Sequence, residues 1–158
     1  MGRHVLVTGG AGFIGSHLVD AILTDDAARV TVLDRLSVGG SRENLAHRAD
    51  DARVRLVVAD VRDDEALRPL VADADAVVHA AAESHVDRSI AEPGAFLDVN
   101  AGGTLAVLEA CRAAGRRLLM VSTDEVYGPN PGDAPMPEDA PLRPRSPYAA
   151  SKAAADLL

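Results

Sequence analysis

A tyrosine and a lysine four residues apart form the first pair of side chains that could carry chemistry. Tyr148 and Lys152 stand in the segment YAASK, and residues at i and i+4 share one face of a helix. A free phenol has a pKa of about 10 and is a poor base at neutral pH, but a nearby ammonium group favours the phenolate. Lowering the phenol pKa by about three units requires about 4 kcal/mol of differential stabilisation. The pair predicts a tyrosinate that takes a proton from a hydroxyl group while hydride leaves the same carbon.

Two adjacent carboxyl groups, Asp124 and Glu125, stand in the segment STDEVYG. In a strand they would point to opposite faces, but at the end of a strand the backbone can turn and direct both at one ligand. Two carboxyl groups in different environments can divide acid and base roles between them. We therefore expect either an acid–base pair or, as the simpler alternative, a solvated acidic pair at the start of a loop.

A glycine-rich segment near the N-terminus has the spacing of a dinucleotide-binding loop. In VLVTGGAGFIGSHLV, Gly9, Gly12 and Gly15 fit the pattern G-x-x-G-x-x-G between a predicted strand and a predicted helix. Such glycines let the backbone approach a pyrophosphate, and the N-terminus of the helix supplies amide donors. Asp34 ends the second predicted strand, where a carboxylate accepts hydrogen bonds from ribose hydroxyls and repels a 2′-phosphate. The pattern predicts NAD in preference to NADP, with Arg35 weakening that preference.

Two further groups of residues follow predicted strands. Asp60 comes after the third strand in VVADVRD, and Ala80–Ala82 come after the fourth in HAAAES. The carboxyl ends of parallel strands meet at the edge where open α/β sheets bind ligands. Taken alone, Asp60 is typical of an N-cap for a helix at residues 63–72, and the alanines are typical of simple packing. The edge that they share with the glycine loop favours a contribution to the cofactor site.

The elements that must position these residues alternate between strands and helices. Continuous apolar runs, typical of strands covered on both faces, are His4–Thr8, Val30–Asp34, Val54–Val58, Ala76–Ala80 and Leu118–Ser122. Helical patterns lie near residues 14–25, 42–49, 63–72, 94–114 and 148–158. This alternation predicts right-handed βαβ units. The expected fold class is α/β, with a doubly wound parallel sheet of the Rossmann type in a three-layer αβα arrangement.

Residues 128–147 interrupt the alternation, because seven of the nine prolines of the chain lie there. Proline fits neither a helix interior nor a central strand, so the segment predicts an extended loop. The loop is either a surface connection or a lid, since it begins beside the acidic pair and leads to Tyr148. The length of 158 residues predicts one domain over residues 1–158. The apolar end at Leu157 and Leu158 predicts that further protein packs there.

Composition excludes several classes of function. A formal net charge of −8 repels phosphate backbones, so we expect no nucleic-acid partner. The single cysteine, Cys111, excludes a disulfide framework and a cysteine-based zinc site, and the five histidines lack metal-ligand spacing. No apolar run approaches the roughly 18 residues of a membrane span, and the N-terminus lacks a signal-peptide pattern. The expected location is the cytoplasm, with no membrane partner.

Together these segments resemble the extended short-chain dehydrogenase/reductase superfamily over essentially all 158 residues. TGGAGFIGSH and YxxxK mark the superfamily broadly. AAESHVDRSI at 81–90, STDEVYG at 122–128 and SPYAASKAAAD at 146–156 are similar to the segments of dTDP-glucose 4,6-dehydratases in particular. The chain resembles the N-terminal, NAD-binding part of these enzymes, and we expect the fold of these 158 residues to lack the usual C-terminal part that encloses the substrate.

The resemblance implies a lyase that dehydrates dTDP-glucose to the 4-keto-6-deoxy sugar through an internal redox cycle. Tyr148, assisted by Thr123 and Lys152, would deprotonate the sugar 4-hydroxyl while hydride moves to NAD. Glu125 would then remove the proton at carbon 5, and Asp124 would protonate the departing 6-hydroxyl so that water is lost. Hydride would return to carbon 6 and leave NAD unconsumed. A cationic nicotinamide ring would also favour the Tyr148 phenolate.

The resemblance further implies which residues contact NAD and the sugar. The NAD site would be lined by Gly9, Gly12, Phe13, Ile14, Gly15, Asp34, Arg35, Ser37, Asp60, Val61, Ala80, Ala81, Ala82, Ser84, Val99, Tyr148 and Lys152. Ser84 and Thr123 would also touch the sugar. The helices at 94–114 and 148–158 would pair in a homodimer.

Two other classes of function remain open, another nucleotide-sugar enzyme and a binding module. A nucleotide-sugar 4-epimerase or a UDP-glucuronate decarboxylase would share the chemistry of Tyr148 and Lys152. Neither an acid nor a base for water elimination is needed in an epimerase, so Asp124 and Glu125 favour the dehydratase. A non-catalytic NAD-binding module, as a truncated product or one half of a split enzyme, is favoured by the abrupt end at Leu158.

Overall fold

Parallel strands form the central sheet in this computed structural model, which describes residues 2–130, 132 and 134–158. The strands are β1 His4–Thr8, β2 Arg29–Asp34, β3 Val54–Val58, β4 Ala76–His79 and β5 Arg117–Met120. Their order in the sheet is β3-β2-β1-β4-β5, with every pair parallel. The order reverses between β1 and β4, which is the switch point where open α/β sheets bind ligands. The predicted Rossmann-type fold is confirmed.

Three strand boundaries differ from the sequence prediction. β2 begins one residue early, at Arg29, and β4 ends at His79 rather than Ala80. β5 covers residues 117–120 rather than 118–122, because its ladder with β4 ends where His79 pairs with Met120. Ser122 and Thr123 therefore lie beyond the strand, in the backbone that leads to the acidic pair.

The helices include one irregular stretch that the sequence did not predict. They are α1 Phe13–Ile22, α2 Asp64–Asp73, α3 Val86–Ala91, α4 Pro93–Phe96, α5 Gly103–Ala114 and α6 Pro147–Asp156. The predicted helix at 94–114 is divided by a π-helical turn at Leu97–Gly102 and is preceded by α3. The predicted helix at 42–49 is a 3₁₀ helix, Arg42–Arg48. A second 3₁₀ turn covers Asp124–Tyr127.

The chain divides into two compact units. The first unit comprises residues 1–81 and 106–121, and the second comprises residues 82–105 and 122–158. The sheet and the glycine loop belong to the first unit. The acidic pair and α6, with Tyr148 and Lys152, belong to the second.

Apolar side chains cover both faces of the sheet in the first unit. On one face they come from the strands, α2 and α5, with Leu6, Leu33, Val77, Leu67, Val71, Val107 and Cys111 all buried. On the other face the strands pack against α1 and the 3₁₀ helix, with Val5, Val7, Val30, Val32, Val19 and Leu45 buried. This arrangement explains why the strands read as continuous apolar runs. Cys111 is 3% exposed, as expected for a small core residue.

Side-chain caps fix where two helices begin. Asp63, rather than Asp60, is the N-cap of α2, because its carboxylate accepts hydrogen bonds from the amides of Glu65 and Ala66. The interpretation of Asp60 as this cap was wrong. Ser146 caps α6 by accepting from the amide of Ala149 at 3.0 Å, so Tyr148 lies in the first turn of that helix.

The proline-rich segment follows the 3₁₀ turn. In its described residues it contains neither helix nor strand before Pro147, which confirms the predicted loop there; residues 131 and 133 lie outside the described residues. The loop returns to the 3₁₀ turn, because the amide of Arg143 donates to the carbonyl of Val126 at 2.9 Å. Gly128 has a φ of +78°, and a Cβ there would lie 2.3 Å from the Arg143 carbonyl oxygen.

None of the helices in the described ranges combines the length and the apolar character that a membrane crossing requires.

Candidate functional site

The turn after β1 is shaped by glycine. Gly9 has a φ of +71°, and a Cβ there would lie 2.5 Å from the backbone nitrogen of Ala81. A residue with a side chain fits neither this left-handed backbone nor this space. The amide of Gly12 donates to the carbonyl of Gly9 at 3.1 Å. The turn is therefore closed by its own backbone just before α1.

Gly12 and Gly15 have different surroundings within this turn. A Cβ on Gly15 would lie 2.0 Å from the carbonyl oxygen of Gly9, so α1 packs directly on the turn. The nearest atom to a Cβ on Gly12 is the same oxygen, at 3.3 Å. Gly12 is the N-cap of α1, and the next two side chains, Phe13 and Ile14, are 77% and 58% exposed. Helix amides without a side-chain cap attract an anion, so the turn fits a pyrophosphate.

Asp34, at the end of β2, is bound to the same turn. Its Oδ2 accepts from the amide of Ala11 at 3.0 Å, and its Oδ1 accepts from the amide of Leu36 at 2.8 Å. A carboxylate has about four lone-pair sites, so capacity remains for two ribose hydroxyl groups. The glycine loop and Asp34 are thus brought together and fit the pyrophosphate and ribose of a dinucleotide.

Asp60 holds two arginines at the end of β3. Its carboxylate accepts from Nε and Nη2 of Arg62 at 2.9 and 2.7 Å, and from Nη1 of Arg35 at 3.2 Å. These bonds, above all those from Arg62, hold the pKa of Asp60 well below its usual range. Nε of Arg35 also donates to Ser37 Oγ at 3.1 Å. Asp60, Arg35 and Ser37 therefore form one cluster beside Asp34.

The remaining first-unit residues of the predicted cofactor site are small or buried. Val61 is 5% exposed and belongs to the core under α2. Ala80 and Ala81 follow β4, where their amides donate to the carbonyl and hydroxyl oxygens of Thr8 at 3.0 and 3.4 Å. The backbone of Ala80 and Ala81 lies against Gly9, and Ala81 packs against the core on the α2 side of the sheet.

In the second unit, Tyr148 is half-buried and hydrogen-bonded to Thr123. Burial raises the pKa of Tyr148 above its ordinary value, the hydrogen bond with Thr123 acts in the opposite direction, and the carboxylates of Glu125 and Asp124 raise the pKa further. These groups of the chain raise the pKa. The predicted lowering depends also on the charge of a bound nicotinamide ring and stays a prediction.

Lys152 is buried on the same helix, with 4% of its surface exposed. Burial lowers the pKa of its ammonium group, and the carboxylate of Asp156 acts in the opposite direction. The Asp156 carboxylate accepts a hydrogen bond of 2.7 Å from the Ser122 hydroxyl. Asp156 therefore lies one helical turn beyond Lys152, and its carboxylate is held by Ser122.

Asp124 and Glu125 line one pocket of about 280 Å³ together with Gly128, Pro129, Arg145, Ser146 and Ala149. Thr123 is the N-cap of their 3₁₀ turn, because its hydroxyl accepts from the amide of Glu125 at 3.3 Å. Both acidic residues are exposed and line this cavity from the 3₁₀ turn, beyond the end of the strand. The expectation that the backbone turns at this point is met.

Three residues of the predicted site stand apart from these contacts. Ala82 and Ser84 are exposed after β4, and Val99 is 6% exposed on the π-helical turn. Among the residues that the structure describes, no three histidine, cysteine, aspartate or glutamate side chains are grouped so that they could hold a metal ion.

Sequence reasoning missed two buried polar residues behind Tyr148. Asn100 and Ser151 are 1% and 2% exposed; Nδ2 of Asn100 donates to Ser151 Oγ at 2.9 Å, and Ser151 Oγ donates to the Tyr148 carbonyl at 2.7 Å. The signal in the sequence was an asparagine inside a helical stretch of apolar and small residues, where a buried amide requires partners.

Comparison with protein families decides the affiliation of the chain. The family model described as GDP-mannose 4,6 dehydratase matches residues 6–158. The chain belongs to this family. Among its curated relatives, the dTDP-glucose 4,6-dehydratase of Mycolicibacterium smegmatis is 52% identical over 157 residues, which are 98% of this chain and 47% of the relative.

Solved structures of this dehydratase family and of epimerases share the fold. DesIV, the dTDP-glucose 4,6-dehydratase of Streptomyces venezuelae, crystallised with NAD, superposes with a TM-score of 0.93 at 48% identity, covering 98% of this chain and 50% of DesIV. The UDP-N-acetylglucosamine 4-epimerase of Methanobrevibacter ruminantium gives a TM-score of 0.90 at 38% identity, covering 99% and 49%. The chain spans about half the length of the curated relatives that it matches.

Proposed function

We propose that the chain supplies NAD binding and acid–base catalysis for the dehydration of a nucleotide sugar, dTDP-glucose, to the 4-keto-6-deoxy sugar. The observation that carries the proposal is the pocket that Asp124 and Glu125 share. Elimination of water requires one group that removes a proton and one that donates a proton. The 52% identity to a dTDP-glucose 4,6-dehydratase supports the choice of substrate.

NAD fits the first unit. The turn at Gly9 and Gly12 would receive the pyrophosphate, Asp34 would receive the ribose hydroxyls, and Arg35 and Asp60 would border the adenosine. This assignment is supported by the steric limits at Gly9 and by the two backbone hydrogen bonds that fix Asp34. The chemistry that NAD supplies when bound is reversible acceptance of hydride.

The second unit would move the protons. Tyr148, in its phenolate form, takes the proton of the sugar 4-hydroxyl as carbon 4 is oxidised, and Thr123 orients the phenol through their hydrogen bond. The resulting ketone acidifies the hydrogen at carbon 5. Glu125 removes that proton and Asp124 protonates the departing 6-hydroxyl, so that one water molecule leaves and a double bond forms between carbons 5 and 6. The product would then be completed by return of the hydride to carbon 6 and of a proton from Glu125 to carbon 5. The chain's own groups raise the pKa of Tyr148, so the phenolate would depend on positive charge from Lys152 and from a bound nicotinamide ring.

An epimerase is the second candidate, and the TM-score of 0.90 to a 4-epimerase supports it. Epimerisation would use Tyr148 but would leave Asp124 and Glu125 without a role. An NAD-binding module without turnover is a third candidate, since the steric limits at Gly9 and the fixed Asp34 would serve binding alone equally well. A homodimer formed by the helices at 94–114 and 148–158 stays a prediction. It is supported by the exposure of two leucines, Leu97 at 53% and Leu105 at 47%. Location in the cytoplasm also stays a prediction.

Mass spectrometry of dTDP-glucose incubated with the chain and NAD tests the proposal. We expect the loss of one water, abolished in Glu125→Gln but retained in the control Glu138→Gln, whose side chain is exposed in the proline-rich loop. Glu125→Gln should still reduce NAD once per chain, whereas Tyr148→Phe should not. A product of unchanged mass and altered stereochemistry would assign an epimerase, and NAD binding with unchanged sugar would assign the binding module.

A further inference from the structure

Glu83 is a buried carboxylate that the proposed reaction does not use. It is 6% exposed and stands in the second unit, between β4 and α3. Its Oε2 accepts a hydrogen bond of 2.9 Å from Nη1 of Arg88. The backbone of Glu83 is held as well, because the Asn100 side chain accepts from its amide at 2.8 Å and donates to its carbonyl at 2.9 Å. Burying a carboxylate costs free energy even when it is hydrogen-bonded, so we looked for a role that Glu83 could serve.

Arg88, which Glu83 holds in place, also contacts an aromatic ring. Its guanidinium carbon lies 5.9 Å from the centre of the Phe96 ring, within the range of a cation–π contact. A second carboxylate, Glu92, lies 3.6 Å from Nη2 of Arg88 but is exposed. The planar guanidinium is therefore oriented mainly by Glu83, which is the closer and the more buried of its two acidic neighbours.

Phe96 in turn meets the phenol ring of Tyr148. The two ring centres are 6.4 Å apart and the planes are inclined by 82°, which is the edge-to-face geometry that aromatic pairs prefer. Phe96 is 0% exposed, so its ring has no room to follow a displaced neighbour. The orientation of the Tyr148 ring is thus coupled to the orientation of Phe96.

A second route reaches the backbone of Tyr148 from the same residue. Asn100, which holds the Glu83 peptide, donates to Ser151 Oγ at 2.9 Å, and Ser151 donates to the Tyr148 carbonyl at 2.7 Å. The ring of Tyr148 is thus linked to Glu83 through the aromatic contacts of Phe96, and its backbone is linked to Glu83 through hydrogen bonds.

We propose that Glu83, acting through Arg88 and Phe96, is a positioning residue for Tyr148. The inference rests on the catalytic role proposed above for Tyr148. Only the Glu83 side of this ion pair is buried, and the Arg88 side chain is 36% exposed. Since such pairs add little to stability, we assign the pair the role of holding the phenol in one orientation. Proton transfer depends steeply on such orientation.

The test uses the absence of tryptophan and the presence of two tyrosines in the chain. In Tyr127→Phe chains, the tyrosine band of the near-ultraviolet circular dichroism spectrum arises from Tyr148 alone. We expect Glu83→Gln and, independently, Phe96→Leu to remove most of this band while the far-ultraviolet spectrum is retained. The matched control is Glu92→Gln, which removes the exposed neighbour of the same arginine and should leave the band unchanged.

The spectrum needs neither NAD nor sugar, so it is interpretable even if the proposed function fails. A full band in both Glu83→Gln and Phe96→Leu, with a lower melting temperature alone, would overturn the inference in favour of a purely structural ion pair. Where the chain turns over dTDP-glucose, Glu83→Gln should lower kcat by about tenfold with KM unchanged, because orientation acts on the chemical step. An increase in KM alone would also count against it.

Discussion

The Asp34 carboxylate accepts a 3.0 Å hydrogen bond from the amide of Ala11, so the residue that is expected to read the ribose also holds the glycine loop. With 8% of its surface exposed, Asp34 serves the fold before any ligand arrives. Loss of NAD binding in a variant at this position therefore needs a measurement of stability beside it.

The first prediction concerns this double role. Asp34→Asn keeps one acceptor oxygen and loses the other, which leaves a buried amide unpaired at a cost of about 1–3 kcal/mol. We expect a lower free energy of unfolding and weaker NAD binding, but a smaller loss for NADP, because the repulsion of a 2′-phosphate is removed. Calorimetric titration with both dinucleotides, at a temperature where the variant is folded, measures this. Asp26→Asn, an exposed carboxylate, serves as control. Equal losses for NAD and NADP would contradict the ribose role.

The second prediction separates folding from binding at two glycines. A Cβ at position 15 would lie 2.0 Å from the Gly9 oxygen, whereas one at position 12 would lie 3.3 Å from it. Gly15→Ala should destabilise the chain strongly, since backbone must move. Gly12→Ala should melt within a few degrees of the parent and still lose NAD binding, because its methyl group occupies the anion site at the N-terminus of α1. If Gly12→Ala bound NAD with the affinity of the parent chain, the assignment of the pyrophosphate to this turn would be wrong. Gly94→Ala, where a Cβ meets nothing within 4 Å, controls for the substitution itself.

The third prediction concerns the phenol of Tyr148. Ultraviolet titration of the Tyr127→Phe chain should give a pKa above the ordinary value, because the phenol is buried and faces the carboxylates of Glu125 and Asp124. Adding NAD⁺ should lower that pKa, since a nearby positive charge favours phenolate. Asp124→Asn and Glu125→Gln should each lower it in the free chain. If the pKa of Tyr148 were the same in both variants as in the parent chain, the two carboxylates would not act on the phenol.

The fourth prediction is a pH dependence of stability at Asp60. Because the folded pKa of this carboxylate lies below its unfolded value, its contribution is complete above the unfolded pKa of about 4 and is lost as pH falls towards the folded pKa. Asp60→Asn should therefore cost about 1 kcal/mol at neutral pH, with a difference from the parent that shrinks below pH of about 4. Denaturant unfolding at several pH values measures the difference. Asp139→Asn, an exposed residue of the proline-rich loop, should show no such trend, and a difference that is constant with pH would contradict the ion pair.

The strands could be predicted well from the sequence because each one is marked by a short apolar run of its own. In β2 and β3, the runs VTVL at Val30–Leu33 and VRLVV at Val54–Val58 are mostly apolar and do not alternate regularly between apolar and polar residues, which is the pattern of a sheet covered on both faces. The same reasoning placed Gly9, Gly12 and Asp34 at one edge, since the edge follows from the topology.

The features that the sequence did not predict depend on partners distant in the chain. The π-helical turn at Leu97–Gly102 surrounds Asn100, whose side chain is satisfied by Glu83 and Ser151. Neither partner is recognisable from helical periodicity. The raised pKa of Tyr148 has the same origin, because desolvation is a property of packing and not of spacing.

Because Cys111 is buried and is the only cysteine of the sequence, its rate of alkylation reports how often the core opens. A thiol that is 3% exposed, and whose pKa burial raises, reacts with an alkylating reagent only in those molecules where the core has opened. The rate of labelling, compared with that of an unfolded peptide, then gives the free energy of opening at one known position without any added probe. Repeated in the presence of NAD, the same measurement would report how much a bound dinucleotide stabilises the sheet.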